Sequence, residues 1–109
     1  MMKVKLKGEI VSINVGVITK VRIVIPSLNM VEGVELLHFK DISFLMAFRA
    51  KVDEEIIKLS IKNAIFKNIN FDDFGESKFD FIIEALNTDL NTLCKLKGIT
   101  ADIVVVDKI

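Results

Sequence analysis

His38 and Cys94 are the only histidine and the only cysteine in the chain, and they are its most obvious candidates for chemistry. A thiol becomes a nucleophile when a base takes its proton and a third group orients that base. His38 falls near a helix end in the first half that corresponds to the region of Cys94 in the second, so a Cys94–His38 pair is the thiol chemistry on offer. The ordinary readings carry more weight. Cys94 lies between Leu93 and Leu96 in a helical pattern, as a core thiol would. His38 suits the negative end of a helix dipole. A single histidine leaves no multi-histidine metal site, and there is no Gly-rich phosphate loop or zinc spacing. A single cysteine excludes an internal disulfide and fits a reducing, cytoplasmic compartment. No catalytic residue, metal or cofactor is expected, and the chain reads as a non-enzyme.

Two charged groups offer binding rather than catalysis. Lys3, Lys5 and Lys7 share one face of the first strand, and Lys58 and Lys62 occupy similar places in the second half. Together they read as a basic contact face tracking a phosphate backbone, or as solvated strand faces whose lysines also guard an edge. Nucleic-acid sheets usually add exposed aromatics for base stacking. This chain has no Trp or Tyr, and most of its Phe residues fall at inward positions. Asp72, Asp73, Glu76 and Asp80 form an acidic contact turn, open to a divalent cation or a basic protein surface. Their spacing is not that of an EF-hand loop, and a polar hairpin tip is the plainer reading. Asp73-Phe74-Gly75 matches a kinase tripeptide without any other kinase element.

These residues must be positioned by strands and two short helices. Val4, Leu6 and Ile10 alternate with Lys3, Lys5, Lys7 and Glu9, and the parity flips to Ile13, Val15 and Val17, which predicts a bulge near Gly8–Val11. A turn over Asn14–Gly16 leads into Val21, Ile23 and Ile25, until Pro26 ends the ladder. Asn29 and Glu32 have capping-box spacing before a helix with Val31, Val34 and Leu37 as its stripe. Ile42, Phe44, Met46, Phe48, Ala50 and Val52 alternate as the next strand. The second half repeats this order. Ile57, Leu59 and Ile61 alternate, parity breaks again near Asn63-Ala64, and Phe79, Phe81 and Ile83 form an inward face. A helix carries Leu90, Leu93, Cys94 and Leu96, Gly98 stops it, and Ile103–Val106 reads as a strand buried on both faces.

Matching segments recur at offsets of 57 or 58 residues: Leu36-Leu37 with Leu93-Cys94, Ile42-Ser43 with Ile99-Thr100, and Lys20–Ile25 with Lys78–Ile83. The predicted fold is α+β: duplicated ββαβ units, six strands and two helices, sharing one core on a largely antiparallel sheet or partly open barrel. Residues 1–109 form a single domain of two repeats, 1–53 and 54–109, joined by a turn at Asp53-Glu54-Glu55. The sheet edges are the expected functional surface, since an open edge recruits a strand from a partner.

The composition supports a folded core with surface to spare. Apolar residues make up 51% and charged residues 28% of the chain, and mean hydropathy is +0.47. That apolar share is high for one small domain, so a homo-oligomer, most simply a homodimer, is expected. Net charge is zero, but residues 1–53 carry +3 and residues 54–109 carry −3. The shared pattern preserves the fold, so function is expected where the halves diverge. No apolar run approaches the ~20 residues of a membrane span, and Met1-Met2-Lys3-Val4-Lys5 opens no signal peptide. Membrane contact is not expected.

The run Lys5-Leu6-Lys7-Gly8-Glu9-Ile10-Val11-Ser12-Ile13, the strand Val21–Ile25 with Pro26 and the short helix after it resemble small accessory proteins of phages and prophages from AT-rich Firmicutes. The resemblance spans roughly the first 40 residues. It implies a binding module acting on replication, recombination or host-defence machinery, and it brings no functional residues with it. The expected function is a non-catalytic protein-binding module with an unknown protein partner. The alternative is a nucleic-acid-binding protein using the lysine-rich strand faces.

Overall fold

Alternation of apolar and polar residues builds six strands, and each strand finds two neighbours. The computed structural model describes residues 3–26, 30–40, 42–71, 76–83 and 87–107, with side chains at all of these except 30–33, 66–71, 76–83 and 87–89. The elements are β1 (Lys3–Asn14), β2 (Thr19–Pro26), α1 (Met30–Leu37), β3 (Ser43–Val52), β4 (Glu55–Phe71), β5 (Glu76–Ile83), α2 (Asn87–Leu96) and β6 (Thr100–Asp107). The sheet closes into a barrel in the order β1-β2-β5-β4-β3-β6. Every neighbouring pair is antiparallel, including β6 with β1.

This corrects the expected α+β fold of duplicated ββαβ units. Most described residues lie in strands, the helices have only 8 and 10 residues, and the sheet is neither open nor partly open. Neither half forms a ββαβ unit of its own. β3 sits between β4 and β6, and β6 sits between β1 and β3, so the third strand of each half lies between two strands of the other. Three strands alone would leave unpaired edges, and exchanging the third strands closes the ring. The halves also differ in build, β1 having 12 residues and β4 17. Closure removes the free sheet edges expected to recruit a partner strand.

The inward set of each strand fills one core. Val4, Leu6 and Ile10 of β1 meet Val21, Ile23 and Ile25 of β2, Phe44, Met46 and Phe48 of β3, Leu59 and Ile61 of β4, and Ile103 and Val105 of β6. The helices add Leu36, Leu93 and Leu96, and Phe39 follows α1. The rings of Phe39 and Phe44 meet edge to face, with centroids 5.6 Å apart and planes at 71°. Such a pair adds ~0.5–1.5 kcal/mol beyond its burial. Two expected faces are revised. In α1, Val34 and Leu37 are exposed while Leu36 is buried, so the core-facing stripe runs through Leu36 toward Phe39. In β6, Val104 and Val106 are only half-buried, so the strand is not buried on both faces. The inward assignment of Phe79, Phe81 and Ile83 and the Asn29 cap lie outside the described side chains and residues.

Irregularities set the strand twist. Ile10 pairs with Ile23 and Ser12 with Arg22, which leaves Val11 as the extra residue of a β1 bulge. Phe44 pairs with Ala64 and Met46 with Ile61, which puts a second extra residue at Lys62–Asn63 of β4. The β3–β4 turn uses two residues of positive φ, Asp53 (48°) and Glu54 (68°), between the paired Val52 and Glu55. Gly98 after α2 has φ 80°, but its amide does not turn back to the helix. It donates to the Ile10 carbonyl at 2.9 Å, beside a parallel bridge between Ile10 and Lys97.

Candidate functional site

The barrel separates residues that the linear pattern groups together. Lys3, Lys5 and Lys7 are exposed on β1, and Lys58 and Lys62 are exposed on β4. β1 and β4 lie three steps apart in either direction around the ring. Their outward faces therefore look to opposite sides, and the five lysines do not form one stripe. The two sets have different surroundings. Lys3, Lys5 and Lys7 stand across from Val106, Val104 and Asp102 of β6, while the exposed β2 cations Lys20 and Arg22 pair with Asn14 and Ser12 at the other end of β1. β3 presents exposed Arg49 directly across from Lys58. The alternation Lys20-Val21-Arg22 marks the β2 cations in the sequence, but only the pairing places them at the end of β1 away from Lys3, Lys5 and Lys7.

The acidic turn is met only in part. Asp72 and Asp73 lie outside the described residues. Glu76 stands across from Pro26 in the β2–β5 register, and Asp80 stands across from Arg22 on one side and Asn68 on the other. Cys94 is exposed rather than a core thiol, because Leu93 and Leu96 take the buried positions of α2. His38 is also exposed. Among the described residues, no group of three or more His, Cys, Asp or Glu side chains is placed to hold a metal ion.

Two surface features have positive content. The first is the β1–β2 hairpin tip. Asn14 and Lys20 pair at its base, and Val15, Val17 and Ile18 are all exposed in the loop above, with Val17 fully so. The bulged Val11 adds a fourth exposed aliphatic group on the same hairpin. The fold holds this tip out because both legs are locked into the barrel wall.

The second is a cleft of about 450 Å³ where β1 changes partners. β1 pairs with β6 through Lys3–Glu9 and with β2 through Glu9–Asn14. Below Glu9 it therefore leaves the β2 ladder, which ends at Pro26. Lys5, Lys7, Asp102 and Val104 line the cleft from the outer faces of β1 and β6, with Leu6, Ile25, Pro26 and Ile103 completing it. Lys7 stands directly across from Asp102, and Lys5 across from Val104. Gly8 lets β1 pass close to β2 at this point. A Cβ there would lie 3.0 Å from Ile23 Cγ2 and 3.1 Å from the Val24 carbonyl oxygen.

Comparison with protein-family models, with curated proteins and with solved structures finds no match. Among the described residues, no helix is long and apolar enough to cross a membrane.

Proposed function

We propose that the chain is a non-catalytic protein-binding module that works as a cytoplasmic homodimer. In this reading it acts as the resemblance to phage accessory proteins implies, by occupying a surface on a protein of the replication, recombination or host-defence machinery. The contact surface is the β1–β2 hairpin tip. The observation that carries this is the run of exposed Val15, Val17 and Ile18 on a loop whose legs are fixed. Single exposed aliphatic residues are ordinary, whereas a cluster of them marks an interaction site. Burying a Val or Ile side chain contributes ~1.5–3 kcal/mol, and a preformed loop loses little conformational freedom on docking. The exposed Cys94 thiol is compatible with a reducing compartment.

The experiment compares the tagged chain with a Val15→Ser/Val17→Ser/Ile18→Ser variant in capture from cell lysate, with and without nuclease. A protein retained by the parent after nuclease and lost by the variant supports the reading. Retention that survives the triple substitution, or that vanishes with nuclease, overturns it. The latter result would favour the nucleic-acid alternative, in which the β1 lysines would act without those of β4.

A further inference from the structure

We propose that the outer face of β6 and β3, with the β1 lysines beside it, is a second contact surface that takes an acidic amphipathic helix of a protein partner. The hairpin tip lies at the other end of β1, and this surface does not depend on it. The ladders fix which outward residues are neighbours. Val106 stands across from Lys3 on one side and Leu45 on the other, Val104 across from Lys5 and Ala47, and Asp102 across from Lys7 and Arg49. The lysines, Asp102 and Arg49 are exposed, and the four apolar residues are half-buried. The residues that alternate with them, Ile103, Val105, Met46 and Phe48, fill the core. Neighbouring strands are ~4.8 Å apart and same-face residues ~6.7 Å apart along a strand. Val104, Val106, Leu45 and Ala47 therefore form one apolar patch. The helices pack chiefly against β1 and β4, and the patch remains part of the outer surface.

The charges around the patch narrow its occupant. Asp102 sits between Lys7 and Arg49 and offsets charge in that row alone. Lys3 and Lys5 stand across from valines, with no carboxylate opposite them. The patch thus has cations along its β1 side and Arg49 at one end. A second copy would bring the same lysines against these and be repelled. A nucleic-acid strand stacks its bases on aromatic rings, and the patch has none. An amphipathic helix with acidic flanks meets both requirements. Its apolar stripe recurs every ~5.4 Å turn, close to the ~6.7 Å step of the patch, and its carboxylates fall beside Lys3, Lys5 and Arg49. The cleft that runs over Lys5, Lys7 and Val104 gives this face a hollow in which such a helix can seat.

The test titrates the ¹⁵N-labelled full chain with end-capped synthetic peptides about 14 residues long, roughly four turns of helix. The first carries leucines at i, i+3 and i+4 spacing with glutamates on both flanks. The second replaces its glutamates by lysine, the third replaces its leucines by serine, and the fourth places a proline at its centre to break the helix. The expected result is movement of the Lys3, Lys5, Leu45, Ala47 and Val104 amides with the first peptide. The other three should bind about tenfold more weakly or not at all, and added salt should weaken the first. Lys3→Gln/Lys5→Gln should weaken its binding about tenfold. Leu45→Thr/Val104→Thr, which keeps strand-forming residues, should act in the same direction. Val15→Ser/Val17→Ser/Ile18→Ser should leave it unchanged, which separates this surface from the hairpin reading. Silence of these amides with the first peptide overturns the proposal. So does equal binding of the lysine, serine or proline peptide, or binding unchanged in both surface variants. Movement of the same amides with rising concentration of the chain alone would assign a second copy instead. Tighter binding of an oligothymidylate or of phosphatidylserine vesicles at these amides would assign nucleic acid or lipid, and each of these results also overturns it.

Discussion

The Gly98 amide donates to the Ile10 carbonyl at 2.9 Å, joining the exit of α2 to the first bulged position of β1. Ile10 directly precedes the bulged Val11, and Gly98 takes a positive φ of 80° as the chain turns from α2 toward β6. Gly98→Ala keeps the amide but strains the backbone, and should lower stability by ~1 kcal/mol. Gly98→Asn, which tolerates that conformation better, should lose less. Urea melts followed by circular dichroism rank the three chains.

The β3–β4 turn places two non-glycine residues at positive φ. Two-residue hairpin turns of this kind favour Asn-Gly or Asp-Gly, and this one is Asp53-Glu54. Glu54→Gly should therefore stabilise the barrel by ~1 kcal/mol, raising Tm by ~4–8 °C. A fall in Tm would mean that the Glu54 side chain contributes more than its backbone costs.

Gly8 and Gly16 differ by environment rather than by φ. A Cβ at Gly8 meets side chain and backbone at 3.0–3.1 Å, whereas at Gly16 the nearest atom is 3.6 Å away. Gly8→Ala should cost ~1–3 kcal/mol by overpacking, and Gly16→Ala should leave stability nearly unchanged. Parallel thermal melts of the two variants test the contrast directly.

α1 exposes Val34 and Leu37, and Ile42 beyond it is exposed as well. If the proposed homodimer uses this patch, Val34→Asp/Leu37→Asp should halve the mass measured by light scattering at concentrations where the parent is dimeric. An unchanged mass would move the interface elsewhere.

The sequence shows strands and their faults more clearly than it shows neighbours. The parity flip after Ile10 marks the Val11 bulge, and the break at Asn63-Ala64 marks its counterpart on β4, because a bulge reverses which residues face inward. Pairing order leaves no such trace. Phe44, Met46 and Phe48 declare an inward face, but nothing in β3 says that β4 and β6 flank it. That is why the lysines of β1 and β4, alike in pattern, look to opposite sides. Helix faces are ambiguous for a different reason. Eight residues hold little more than two turns, and both Val34/Leu37 and Leu36/Phe39 have helical spacing. Only the barrel wall selects the second pair. The hairpin tip was legible as a turn but not as a site, because Val15 and Val17 continue the strand's own alternation.

The exchange of third strands also dictates when the molecule can form. β6 fills the gap between β1 and β3, and its contacts to β1 join residues 3–9 with residues 100–106. A nascent chain lacking residues 100–107 holds an open five-strand wall with both flanks of the gap bare. Long-range closure of this kind is slow and leaves apolar edges open to aggregation meanwhile. A fragment of residues 1–53 has the same difficulty, since β3 has no partner within it. Mixed with residues 54–109, it should recover the barrel by complementation, with each half acting as the template on which the other completes its fold.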